Sequence, residues 1–264
     1  MLENPATPHS LVRFEVDGAV ATVTIDRPAV RNAVDPATAA ELYDSFDRFE
    51  RNDDLSVAVL TGAGGNFCAG FDLKALAAGT GTHLDDGVRG PMGPTRMVLD
   101  KPVIAAVEGY AVGGGFELAL WCDLRISATN ATFGVFNRRF GVPLIDMGTV
   151  RLPRMIGQGR ALDIILTGRP VSAEEAYRIG LVERLVEAGA ALEYARQLAR
   201  EIATHPQRTL RADRRSALNQ WSLSVGDAAR AEHHGGAEAI ASGEAFEGAK
   251  RFTAGKGRHG DKLS

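Results

Sequence analysis

The chain has 264 residues, 45% hydrophobic and 24% charged, which fits a globular protein of one or two domains with a substantial core and excludes disorder as its whole character. A formal net charge of -3 gives no general electrostatic reason to bind nucleic acid, while leaving room for a small basic patch against an anionic ligand. Two cysteines, Cys68 and Cys122, show neither CxxC nor Cys/His metal spacing and read as buried thiols in a reducing compartment, so neither a disulfide framework nor a metal is expected.

Two alternating segments, LVRFEVDG and AVATVTIDRP, meet at Asp17-Gly18 and predict a β-hairpin. VDPATAAELYDSFDRFERND follows as a helix, with Asp35 as N-cap, Pro36 at its first position and Leu42, Phe46 and Phe49 on one face. LSVAVLTG is a short buried strand, and AGGNFCAGFDLKAL a glycine-broken loop entering a helix. Residues 75 to 102 show little periodicity, and GTGTH within them reads as a mobile surface loop. KPVIAAVEG predicts a strand, residues 114 to 121 a helix and DLRISATN another strand, an alternation that predicts an α/β core.

From about residue 155 the segments GRALDIILTG, SAEEAYRIG, ALEYARQLAREIATHP and VGDAARAEHHGGAEAIASGEAFEGAKRF all look helical, and the tail TAGKGRHGDKLS looks frayed. No apolar run reaches the ~18 residues of a membrane span. The opening MLENPATPHS lacks the basic-then-apolar pattern of a secretion signal, so a cytoplasmic location is expected. GAGGNF lacks the third glycine of GxGxxG, neither GxxxxGK[ST] nor GxSxG is present, and adjacent His233 and His234 point ~100° apart on a helix, which does not chelate one metal.

The most informative stretch is VIAAVEGYAVGGGFELAL. Gly113, Gly114 and Gly115 stand where a strand gives way to a helix, so their N–H groups are among the unpaired donors of a helix N-terminus with no Cβ to shield them. Chemistry that builds negative charge on a carbonyl oxygen needs two such donors. A second glycine-containing turn, FCAGFDLK, could supply the other. Glu117 follows Gly114 by three residues, one helical turn, so its carboxylate can face the same ligand.

Together, GNFCAGFDLK and KPVIAAVEGYAVGGGFELALWCDLRIS resemble the crotonase, or enoyl-CoA hydratase/isomerase, superfamily. RPAVRNAVDPATAAEL, GVPLIDMGTVRLPRMIGQGRALDIILTGRPVSAEEAYRIGLVERLV and EGAKRF extend the resemblance in the same order over nearly the whole chain. It implies a spiral of ββα units over residues 1–200 and a helical C-terminal oligomerisation region over 201–264, assembling as a homotrimer or hexamer. It further implies that the N–H groups of Phe71 and Gly114 form an oxyanion hole for the thioester carbonyl of an acyl-CoA substrate. No permanently bound cofactor is implied, since coenzyme A arrives with the substrate.

In the hydratases the glutamate matching Glu117 works with a second one. The matching stretch here, FGVFNRRFG, places Asn137 at that acid, and an amide orients water without exchanging a proton. Asp146, in GVPLIDMGTVRL, resembles an aspartate of dienoyl-CoA isomerases and also reads as a helix N-cap before Met147. Arg31, Ala69, Gly70 and Asp72 match coenzyme A-binding positions, with Phe252 and Lys256 in a segment that in relatives reaches a neighbouring subunit's coenzyme. Arg138 and Arg139 read either as a solvated pair or as a recognition site for a carboxylated acyl tail. Three functions follow: an enoyl-CoA hydratase of fatty-acid or related acyl-CoA metabolism; a double-bond isomerase, which needs no bound water; and a non-catalytic acyl-CoA-binding paralogue.

Overall fold

The computed structural model describes residues 10–80 and 89–255. Strand β1 (Val12–Asp17) turns through Gly18 and pairs antiparallel with β2 (Val20–Ile25), as the alternation predicts. All six residues of β2 are buried, because its other edge pairs in parallel with β3 (Val57–Gly62) and both faces of the sheet are covered. Between them runs helix α1 (Pro36–Arg51), started by the Asp35 carboxylate accepting from the Thr38 N–H at 2.8 Å. Leu42, Phe46 and Phe49 are its buried face.

The chain continues through the short helix α2 (Leu73–Ala77), β4 (Val103–Val107), β5 (Tyr110–Val112), α3 (Gly114–Trp121), β6 (Leu124–Ala128) and β7 (Thr132–Gly134). Helices α4 (Gly148–Ile156) and α5 (Gln158–Thr167), strand β8 (Val171–Ser172), helix α6 (Ala173–Arg178) and strand β9 (Arg184–Val186) come next. Helices α7 (Ala191–Ala203), α8 (Gln207–Asn219), α9 (Val225–Ala241) and α10 (Glu244–Thr253) close the described chain. The large sheet has the order β1-β2-β3-β4-β6-β9, and a small one the order β5-β7-β8.

Period-two burial decides the layers. Ala58 and Leu60 of β3, with Ala105 and Val107 of β4, face the main core, which includes Phe46, Phe67, Phe116 and Phe133. Val57 and Val59, with Ile104 and Ala106, face the opposite side and pack on α7. There α7 presents Ala191, Ala195 and Ala199, one small side chain per turn, and so seats its backbone close to the sheet.

Some elements lie beyond the sequence reading. The region after residue 155 is mainly helical, and two short strands interrupt it: β8 joins the small sheet, and β9 completes the large one, held by the Arg125–Glu183 ion pair of 2.5 Å. The small sheet is absent from the sequence reading because strands of two or three residues carry no measurable period. Helix α8 is also absent from that reading, and its face is mostly polar with only Ala212 buried. Lys256 and most of GTGTH lie outside the described residues.

Candidate active site

Two turns converge. Gly113 adopts φ 56°, open to glycine and costly to other residues, and its N–H donates to Gly134 O on β7 at 2.9 Å. The chain therefore enters α3 with Gly114 N–H exposed. The facing turn is fixed by a parallel bridge, in which Val34 N–H donates to Gly70 O and Asp72 N–H donates to Val34 O, both at 2.8 Å. That pattern uses the groups flanking Phe71 and turns the Phe71 N–H away from Val34. A β-carbon on Gly70 would lie 3.2 Å from the Gly114 nitrogen, so the turns are in contact. Among the described residues, neither the Phe71 nor the Gly114 N–H donates to a backbone carbonyl.

A cleft of about 620 Å3, counted to its open mouth, lies over these amides. Glu117 and Asp146 are the charged side chains among its described lining residues, and the rest is largely apolar, including Phe71, Met92, Phe136 and Val142. Glu117 is 2% exposed. Its Oε1 accepts from Asp146 N–H at 2.9 Å and Gly148 N–H at 2.8 Å. A β-carbon at Gly148 would sit 2.8 Å from that same oxygen, so glycine is what lets the start of α4 approach the acid. Burial, and then the neighbouring Asp146 charge, push the Glu117 carboxyl up to about 7, against the opposing pull of the two amides and of Arg151.

Asp146 is equally buried. Its Oδ1 accepts from Met92 N–H at 3.1 Å and, in a short hydrogen bond, from the Thr95 hydroxyl. Burial raises its carboxyl above the ordinary range, opposed by those two bonds and by Arg96 and Arg151. The helix-cap expectation for Asp146 does not hold: Met147, in the left-handed region at φ 71°, caps α4 without a side-chain bond. Asp146 points instead across to the 92–96 segment.

Asn137 reaches the same cleft. Its Nδ2 donates to Val142 O at 2.8 Å, while its buried Oδ1 has no partner among the described residues and lies 3.5 Å from where a Gly113 β-carbon would be. Arg138 and Arg139 turn elsewhere: Arg138 donates to Ile165 O at 3.3 Å, and Arg139 donates to Gly168 O at 3.2 Å while stacking over Phe136. Neither lines the cleft.

Of the remaining predicted positions, Ala69 and Gly70 line the cleft. Arg31, left-handed at φ 51°, sits outside with its guanidinium 5.4 Å over the Tyr110 ring. Asp72 caps α2 through Lys74 N–H and accepts from Arg27. Phe252 is exposed on α10. Sequence reasoning missed Met92, Thr95, Gly148 and Arg151, which hold the two acids. Only the glycine of Asp-Met-Gly, abutting a candidate acid, offered a signal.

Comparison with known proteins agrees with this arrangement. A family model described as enoyl-CoA hydratase/isomerase matches residues 15–256. The crystal structure of an enoyl-CoA hydratase from Mycobacterium tuberculosis H37Rv superposes with TM-score 0.88 at 37% identity, covering 92% of this chain and 96% of that one. An (E)-benzylidenesuccinyl-CoA hydratase from Thauera aromatica is 43% identical over 212 residues, 78% of this chain and 82% of the relative. A carnitinyl-CoA dehydratase from Escherichia coli K12 is 42% identical over 188 residues, 70% of this chain and 72% of the relative. The fold is thus that of the crotonase-type hydratases. The chain belongs to the enoyl-CoA hydratase/isomerase family.

Proposed function

We propose that this protein adds water reversibly across the double bond of a 2-enoyl-CoA thioester, with Glu117 as the proton-carrying group. The observation that carries this reading is a buried carboxyl, pushed up to about 7, one helical turn from an amide that donates to no backbone carbonyl among the described residues, at the foot of an apolar cleft. A group that titrates near neutrality both accepts and returns a proton efficiently.

In the hydration direction, the thioester oxygen rests on the Phe71 and Gly114 N–H groups. Glu117 takes a proton from water as its oxygen bonds to the β-carbon, and the π electrons move to the thioester oxygen as an enolate held by the two amides. The proton on Glu117 then passes to the α-carbon, so one water is consumed and the enzyme is restored. Asn137 Oδ1, an acceptor on the cleft wall without a partner among the described residues, is suited to orient the second hydrogen of that water. A single carboxyl then does the work that two share elsewhere. For the coenzyme end, Ala69 and Gly70 at the cleft and Arg31 and Asp72 outside it are the assigned contacts.

A second reading rests on Asp146, another buried carboxyl on the same wall: Glu117 or Asp146 would move a proton along the acyl chain, making the protein an isomerase. Self-association belongs in this proposal too. Exposed Leu218, Trp221, Ile240 and Phe246 in the helical C-terminal region support an oligomer built there, and light scattering should give the mass of a trimer or hexamer.

The deciding experiment follows purified wild type, Glu117→Gln and Asn137→Glu with crotonyl-CoA by loss of the conjugated enone band, with product mass. Water addition by wild type that Glu117→Gln abolishes supports hydration. Double-bond migration from a β,γ-enoyl-CoA with no water in the product would replace it with isomerisation. Saturable acyl-CoA binding without any turnover would leave a binding paralogue.

A further inference from the structure

Arg151 lies one turn into α4, half-buried behind the acid wall. Its Nη1 donates to Asp146 O at 3.1 Å and its Nη2 donates to Thr95 O at 2.7 Å. The hydrogen bonds it makes among the described residues thus go to carbonyls, and its half-buried charge faces Glu117 and Asp146 through space. The two carbonyls belong to the segments that hold the acids. Met92 N–H and Thr95 hydroxyl fix Asp146, while Asp146 N–H and Gly148 N–H fix Glu117.

The geometry points to Arg151 as the positioning residue of this acid pair: it ties segment 92–96 to segment 145–148 and brings a positive charge to the acids from behind. A planar guanidinium presents its two Nη donors in a fixed fork, which suits it to spanning carbonyls of two segments. A cation partly withdrawn from water, with no carboxylate bonded to it among the described residues, is costly unless nearby anions offset it, and the acids of the site are those anions. The direction agrees, since Arg151 pulls both carboxyls down against burial.

The other charged or titratable groups around the pair are few. Arg96, from the 94–96 turn, donates to Ile145 O at 3.2 Å and faces Asp146. Cys122, at the C-terminal end of α3, is a buried thiol. Arg151 is therefore the cation that acts on both acids.

The kinetic half of the test rests on the hydratase reading; the spectroscopic half does not. Arg151→Met should move the rising limb of the kcat/KM profile for crotonyl-CoA to higher pH by about one unit, the scale of a lost opposite charge nearby. Arg151→Lys, which keeps the charge but loses the planar bridge, should leave the limb near wild type while kcat falls. In parallel, the infrared band of the protonated carboxyl, identified as the band lost in Glu117→Gln, should titrate about one unit higher in Arg151→Met. If Arg151→Met does not fold, Arg151→Gln carries the same test. A limb and band that stay in place while only the melting temperature falls would reduce Arg151 to a structural brace. If wild type fails to hydrate crotonyl-CoA, the hydratase reading falls and the infrared titration still decides the role of Arg151.

Discussion

The two walls of the cleft are built in contrasting ways. The amide wall, residues 67–72 and 113–115, is made of backbone: glycines bring bare N–H groups to one point, and strand pairing aims them. The acid wall, Glu117 with residues 90–96 and 145–151, is made of side chains whose positions depend on each other across some fifty residues of sequence. Backbone donors are fixed by local conformation and tolerate little change. Carboxyls in a shared low-dielectric pocket are tunable, because each charge resets its neighbour's proton affinity.

The sharpest break in this contrast is Glu117→Gln. Loss of the proton carrier should lower kcat for crotonyl-CoA hydration by about 10³-fold, within the range of general acid–base contributions, with near-normal acyl-CoA binding by calorimetry. On the amide wall, Gly114→Ala would put a β-carbon 2.5 Å from Met92 Sδ. Met92 is buried, so either its side chain or the amide must give way, and kcat should fall by up to about 10²-fold, the scale of one lost oxyanion donor. The two variants should separate in pH: the limb vanishes or distorts in Glu117→Gln and keeps its midpoint in Gly114→Ala.

Stability gives an independent view of the acid wall. The Glu117 carboxyl sits at about 7 in the folded chain against 4.5 when solvated. Folding therefore favours its protonated form: the contribution is full below pH 4.5 and is lost as pH rises through about 7. Glu117→Gln keeps an acceptor for the Asp146 and Gly148 amides and removes the buried charge. It should match wild type in chemical denaturation below pH 4.5 and exceed it above pH 7, by up to about 3 kcal/mol. A flat difference across pH would show that Glu117 is not perturbed. Asp146→Asn tests the same coupling kinetically: with a like charge removed, the Glu117 limb should move to lower pH.

The smallest effect is expected outside both walls. Arg138→Ala and Arg139→Ala should change kcat/KM for crotonyl-CoA by less than about threefold, because both guanidinium groups are engaged with carbonyls of the α5 end. A large selective loss with a carboxylated enoyl-CoA would instead bring them back to the acyl end of the site.

The sequence determined the amide wall. A strand, three glycines and a helix are local events, so Gly114, its helix and the placement of Glu117 one turn on could all be read from neighbouring residues. It also determined the hairpin, the Asp35 cap and the buried faces of α1 and β3, since each has a period or a turn residue to announce it. Tertiary structure alone decided the rest. Whether Asp146 capped a helix or joined Glu117 depended on Met92 and Thr95, residues in a stretch with no period of its own. Strands β8 and β9 exist because long-range pairing partners stabilise segments too short to declare themselves. A proton affinity near neutrality is likewise invisible in the letters, because it arises from burial and from charges that only the folded chain brings within reach.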